Sequence, residues 1–276
     1  MDTFDHKTTK EAFGFSGEAA LNYDNYLGPF LFEPFAKEMA ARLGLQNENS
    51  VLEIAAGTGR VTRHLRKNMT GSSHLTATDV NPDMLAVAKD ILKDRSIEYL
   101  VADAQNLPFP ENTFDTVICQ FGFMFLPDKP RGFREAFRVL KPGGRLMFST
   151  WDAHARVPIF RLVFDETLLP FFKDTNKDRY VVPFSLHDVK ILHQYLADTG
   201  FKDIKIDRVV LTGESPTPSQ IANGFLRKHS LGKEVMEIDP LALEPMAIAL
   251  EQKINEKFGT DPVTCSLAAF FASGVK

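Results

Sequence analysis

Val51-Leu52-Glu53-Ile54-Ala55-Ala56-Gly57-Thr58-Gly59 is the stretch that decides the fold. Apart from Glu53 its first six residues are apolar or small, and Val51 and Ile54 are β-branched. A short apolar run that stops at glycines reads as a buried strand. Val61 and Leu65 follow at helical spacing among polar residues, so the order is strand, glycine turn, helix. Gly57 and Gly59 let the backbone turn sharply and let a ligand approach with no Cβ in the way. The amide end of the helix favours a negative group. A dinucleotide fingerprint carries a third glycine where this chain has Thr62. Glu53 sets a carboxylate close to where a pyrophosphate would lie. That anion repels phosphate and suits a ligand with hydroxyls or an amine. The alternative is a structural turn with no ligand.

The 276 residues suffice for one large α/β domain, or one domain with a lid. A net charge of -4 shows no basic bias, which argues against nucleic acid as the main partner. No run of about eighteen apolar residues occurs, so no membrane span is expected, and residues 1–12 are polar and lack a signal-peptide core. Cys119 and Cys265 suit a reducing compartment, the cytoplasm, and have no metal-type spacing. Cys119 lies in an apolar strand and reads as a packed thiol. Phenylalanine is unusually common, 24 against one tryptophan and five tyrosines. Part of that set is expected to line an apolar pocket.

Acids recur where further strands end. His74–Val80 closes on Asp79, able to accept both hydroxyls of a ribose, a feature shared by several nucleoside-binding folds. Asn81 then caps a helix that opens with Pro82. Residues 97–103, IEYLVAD, end in Asp103, and Thr116–Phe121 is a fourth strand ending in Gln120 and Phe121. In open α/β sheets ligands lie beyond the carboxyl ends of the strands, so Glu53, Asp79, Asp103 and Gln120 are expected to share one site. Arg131, Arg134 and Arg138 read as the solvated face of a helix. Leu140-Lys141-Pro142-Gly143-Gly144 reads as a proline-glycine stop that reverses the chain into a fifth strand, Arg145–Thr150.

His154, just past the fifth strand, is the best-placed imidazole for removing a substrate proton; the alternative is a loop histidine with no catalytic role. Leu186–Thr199 reads as a helix capped by Ser185 and stopped by Gly200. Ile204–Leu211 is a sixth strand and Val263–Ala272 a last one, antiparallel to the others. Between them residues 212–258 form a helical cap, with His229 on its surface. Before the first strand Phe13, Phe15, Tyr23, Tyr26, Phe30, Phe32 and Phe35 crowd together, followed by a helix over Phe35–Leu43 that ends at Gly44. That segment either covers one face of the sheet or acts as a lid, its Tyr23 and Tyr26 closing over the site.

Four stretches carry a family resemblance. They are Glu53-x-x-x-Gly57-x-Gly59, then Asp79 to Leu85, then Ala102 to Phe109 with Phe114-Asp115, and Leu140 to Gly144. Together they resemble the class I S-adenosylmethionine-dependent methyltransferases, in particular the ubiquinone/menaquinone-biosynthesis-like group that acts on small molecules. The resemblance implies a seven-stranded, mostly parallel Rossmann-like sheet with helices on both faces and the last strand antiparallel. It divides the chain into a lid (1–48), a core (49–211 and 259–276) and the cap (212–258). It implies S-adenosylmethionine as cofactor, S-adenosylhomocysteine as product, no metal, and in-line displacement onto a small apolar or aromatic acceptor.

Carried onto this chain, the cofactor site comprises Glu53, Ala55, Gly57, Thr58, Gly59, Asp79, Val80, Met84, Asp103, Ala104, Gln120 and Phe121, with Tyr23 and Tyr26 from the lid. Met84 packs on the adenine side, Asp103-Ala104 meet the adenine amine, and Gln120 lies beside the sulfonium. Ala55-Ala56 is a minor departure from the pattern. Gln120-Phe121-Gly122-Phe123 stands where an Asn/Asp-Pro-Pro-Tyr/Phe tetrapeptide would point to nucleic acid or protein. A non-catalytic relative that binds S-adenosylmethionine remains an alternative. A nicotinamide oxidoreductase is another, disfavoured by Glu53 and by the Leu107-Pro108-Phe109 turn.

Overall fold

The computed structural model describes residues 17–44, 50–69, 72–172 and 178–276; Phe13 and Phe15 lie outside them. α1 (Glu33–Leu43) ends on Gly44, whose φ of 54° is left-handed and lets the helix stop. β1 (Ser50–Ile54) follows, buried at every position after Ser50, as a strand covered on both faces must be. Then come α2 (Arg60–Asn68), β2 (His74–Asp79), α3 (Pro82–Leu92), β3 (Ile97–Val101), β4 (Phe114–Gln120), α4 (Lys129–Val139) and β5 (Leu140–Trp151). The chain finishes with α5 (Val189–Thr199), β6 (Lys202–Ser215), α6 (Ser230–Ile238), α7 (Leu243–Phe258) and β7 (Val263–Val275).

The strand order is β3-β2-β1-β4-β5-β7-β6. β1 pairs parallel to β2 and β4, β2 to β3, and β4 to β5. β7 runs antiparallel to both β5 and β6. This is the expected seven-stranded Rossmann-like sheet. The chain winds one way from β1 to β3 and the other way from β4 onward. A crevice therefore opens beyond the carboxyl ends of β1 and β4, where such folds bind their ligands.

Local details depart from the sequence reading for physical reasons. The β4–β5 ladder jumps from Phe114–Leu140 to Thr116–Arg145, so Lys141-Pro142-Gly143-Gly144 bulge out of one strand and do not reverse the chain. Asp188, not Ser185, caps α5: its carboxylate accepts from the Lys190 amide at 2.8 Å, while the Ser185 hydroxyl donates to the Met124 carbonyl. β6 runs past the expected end at Leu211 to Ser215, because every residue from Lys205 onward pairs with β7. Among the described residues no helix is long and apolar enough to cross a membrane.

Candidate active site

At the end of β1 the backbone coils left-handed three times, with φ of 54° at Ala55, 56° at Gly57 and 80° at Gly59. Asp79, at the end of the neighbouring β2, braces this turn. One carboxylate oxygen accepts from the Gly57 amide and the other from the Asn81 amide, both at 2.8 Å. Burial pushes the Asp79 carboxyl above its usual range, against the pull of these amides. Asn81 in turn caps α3 by accepting from the Asp83 amide. Gly59 serves packing: a Cβ there would sit 2.9 Å from Leu92 Cδ1.

Glu53 lies beneath the turn, 2% exposed, and accepts from the Thr62 hydroxyl at 2.7 Å. Burial, with the charge of Asp79 nearby, pushes its carboxyl up to about 8. Thr62 thus occupies the third-glycine position of a dinucleotide turn and uses it to hold a carboxyl group. After β3, Asp103 folds back to accept from the Gln105 amide at 2.8 Å. The following loop is tied down by Arg138, which donates to the carbonyls of Leu107 and Phe109, and by Glu135, which accepts from the Leu107 amide. Arg138 is therefore a loop anchor; Arg131 and Arg134 are the exposed pair.

These elements enclose a cavity of ≈ 200 Å³. Every residue expected to bind the cofactor lines it except Gly59 and Tyr26. Tyr26 is on the far side of the N-terminal segment, against Gly224. Gln120 donates to the Phe32 carbonyl at 3.2 Å, and its buried Oε1 has no partner among the described residues.

A second cavity, ≈ 320 Å³, lies alongside. Seven of the 24 phenylalanines line it: Phe32, Phe121, Phe125, Phe160, Phe164, Phe184 and Phe225. Three π-helical stretches contribute walls: Tyr23–Phe32, Arg161–Leu168 and Asn223–Arg227. Such widened turns occur often at functional sites. On the cavity wall the Tyr180 hydroxyl donates to Glu234 at 2.8 Å. His229 also lines this cavity and is partly buried rather than set on the surface. Its Nδ1 accepts from the Leu231 amide to cap α6, and burial pushes the imidazole down to about 4. His154 lines neither cavity: its Nδ1 lies 3.0 Å from an Asp165 carboxylate oxygen and its ring packs against Phe184, which lines the second cavity.

The sequence reading also missed a clamp. Asp24, 5% exposed, accepts from Thr58 Oγ1 at 2.6 Å and pairs with Arg60 at 3.0 Å. Arg60 reaches Glu33 as well, and Glu33 meets His64 at 2.8 Å. The N-terminal segment is thereby fastened to the glycine turn. Arg60 borders the first cavity, yet its guanidinium is engaged by these acids, so it does not make the cavity an anion site. The acidic floor, the bare turn and the unpartnered Gln120 oxygen fit a ligand with hydroxyls and an ammonium rather than a pyrophosphate.

Comparison with known proteins bears on the same residues. A family described as "Methyltransferase domain" matches residues 52–148. The ubiquinone/menaquinone biosynthesis C-methyltransferase UbiE of Francisella philomiragia is 31% identical over 213 residues, 71% of this chain and 85% of that protein. The chain belongs to the class I S-adenosylmethionine-dependent methyltransferases. UbiE of Pasteurella multocida is 32% identical over 174 residues, 58% of this chain and 65% of the relative, just under two thirds. Phosphoethanolamine N-methyltransferase 2 of Haemonchus contortus, solved with S-adenosyl-L-methionine, shares the fold with a TM-score of 0.63 at 19% identity, over 99% of this chain and 60% of that one. A SAM-dependent methyltransferase of Aquifex aeolicus gives 0.52 at 17%, over 99% of each chain. This methyltransferase uses S-adenosylmethionine, and the oxidoreductase alternative falls away.

Proposed function

We propose that this methyltransferase transfers the methyl group to a small, apolar or aromatic acceptor held in the second cavity. One observation carries the reading: a chamber walled by seven phenylalanines meets the acid-floored cavity across Tyr23, Phe32, Phe121 and Phe125, which line both. Its ≈ 320 Å³ lies at the lower end of small-molecule sites, roughly 300–1,000 Å³, and suits an acceptor of one or two rings.

In this reading Asp79 takes the ribose hydroxyls, Asp103 and Ala104 the adenine amine, Met84 the adenine face, and Glu53 the ammonium side. When bound, S-adenosylmethionine supplies a methyl group on a sulfonium that is already a good leaving group. The chain's own task is alignment and the exclusion of water. Holding two reactants in line accounts for roughly 7–11 kcal/mol of a barrier of this kind. His154 has no part in the proposal, since it lines neither cavity. The two free, buried thiols, Cys119 and Cys265, support a reducing, cytoplasmic setting.

The names of the relatives make carbon the first acceptor atom to test. Purified protein is incubated with methyl-labelled S-adenosylmethionine and a mixed metabolite extract, and products are partitioned between water and organic solvent. Label in an organic-soluble, ultraviolet-absorbing product is expected. Label confined to polar water-soluble products, or no transfer at all, would overturn the acceptor class.

A further inference from the structure

The two cavities have only four side chains in common, Tyr23, Phe32, Phe121 and Phe125. A methyl group leaving the first cavity for the second must pass them. The set is entirely aromatic and is held in place with unusual care. Phe121 has a left-handed backbone, φ 54°, a strained state for a bulky residue. Its ring stacks on Trp151 at 3.9 Å and 10° and meets Phe35 at 5.5 Å and 84°, while the residue itself lines both cavities. Phe32 meets Phe121 edge-on at 5.8 Å and stacks on Tyr23 at 4.9 Å, and its carbonyl is held by Gln120. Gly122 is required beside this arrangement, since a Cβ there would lie 2.5 Å from both Ala55 Cβ and Cys119 Sγ.

We propose that this aromatic collar is the methyl-transfer aperture and that its ring faces recognise the positive charge of the sulfonium, so the enzyme tells S-adenosylmethionine from S-adenosylhomocysteine at Phe121 and its neighbours. The inference rests on the function proposed above. An aromatic face attracts a cation through its quadrupole, and the attraction grows when water is excluded. When the acceptor's electron pair bonds to the methyl carbon, sulfur keeps the pair of the broken bond and becomes neutral. The positive charge passes to the acceptor, which sheds any proton to bulk water once it leaves the site. The collar's attraction for the sulfur ends with that step, so the product is held less tightly than the substrate by this group of side chains.

The test needs no acceptor. Dissociation constants for S-adenosylmethionine and S-adenosylhomocysteine are measured by titration calorimetry on wild-type protein, Phe121→Leu, Phe32→Leu and Phe125→Leu, with a thermal transition for each. Loss of the ring face should weaken S-adenosylmethionine by about three- to tenfold and leave S-adenosylhomocysteine unchanged. If Phe121→Leu fails to fold, the other two variants carry the comparison. Proportional weakening of both ligands, or no change in either, overturns the inference and leaves the proposed function standing. Wild-type protein that binds neither ligand overturns both.

Discussion

Asp24 and Arg60 form an ion pair at 3.0 Å whose side chains are only 7% and 12% exposed. It fastens the N-terminal segment to the first turn of α2. Arg60 stands at the amino end of that helix, where a cation is disfavoured by the dipole. Asp24 and Glu33 offset the penalty, and Gly28 leaves room for the guanidinium, which would collide with a Cβ there. Replacing Asp24 leaves the largely buried Arg60 guanidinium with Glu33 as its remaining acid and takes the acceptor from the Thr58 hydroxyl. Asp24→Ala should cost about 1.5–3 kcal/mol of unfolding free energy, read from urea denaturation. It should also weaken cofactor binding, because Tyr23 and Phe32 ride on the same segment. A midpoint equal to wild type would show that the clamp contributes nothing.

Asp79 is predicted to act twice. Its carboxylate braces the Gly57 and Asn81 amides and retains lone pairs for hydroxyl donors. Asp79→Ala should weaken S-adenosylmethionine by about 1–3 kcal/mol in titration calorimetry. An unchanged dissociation constant would remove Asp79 from the binding site.

Glu53 gives a pH prediction with a definite sign. Its carboxyl is raised from 4.5 to about 8 in the folded protein, so the native state holds a proton that the unfolded chain releases. The stability it contributes is fully present below the unfolded value and is lost as pH rises through about 8. Ligand-free wild type should therefore lose stability between pH 5 and pH 8 relative to Glu53→Gln, on the order of a few kcal/mol. Thermal melts of both proteins across that range would show the gap widening with pH. Parallel curves would mean that Glu53 is ionised throughout.

His229 slopes the other way. Burial lowers its imidazole from 6.5 to about 4, so the neutral ring caps α6 and the unfolded chain takes up the proton first. Its contribution is full above 6.5 and is lost as pH falls toward 4. His229→Asn keeps a capping acceptor without titrating in this range. Melting curves of the two should diverge only below pH 6.5. Divergence at higher pH would place the titration on another group.

The rim of acids was legible because a parallel sheet brings the carboxyl ends of its strands together. Glu53, Asp79 and Gln120 needed only correct strand ends to converge. The turn after β1 is local and its glycines are explicit. What stayed hidden depends on contacts distant in sequence. Asp24 meets Arg60 across 36 residues, and Arg138 looks solvated until the loop at Leu107 folds onto it. His154 follows β5 as a catalytic base would, yet nothing in its neighbours reveals that it packs on Phe184 and lines neither cavity. His229 sits in a polar-looking stretch, yet with Phe225 and Leu231 it lines the chamber. The three π-helical walls leave no periodic mark, since one extra residue per turn shifts the apolar pattern without breaking it.

Gly122 tests how tightly the collar is built. It lies between β4 and the short turn at Phe123–Phe125, buried against Ala55 and Cys119. A methyl added there would lie 2.5 Å from Ala55 Cβ and from Cys119 Sγ, closer than carbon and sulfur can stand. Overpacking of this kind costs about 1–3 kcal/mol. The strain has two outlets. Cys119 is fixed within β4, paired with Phe148 on β5, whereas Ala55 is in a left-handed turn already held against its preference. Ala55 should yield first and carry the glycine turn with it. Gly122→Ala is therefore expected to lower the melting temperature and weaken S-adenosylmethionine together. Cys119→Ala, added to Gly122→Ala, removes one of the two clashes and should restore part of both. A double variant no better than Gly122→Ala would show that the clash with Ala55 alone governs the turn.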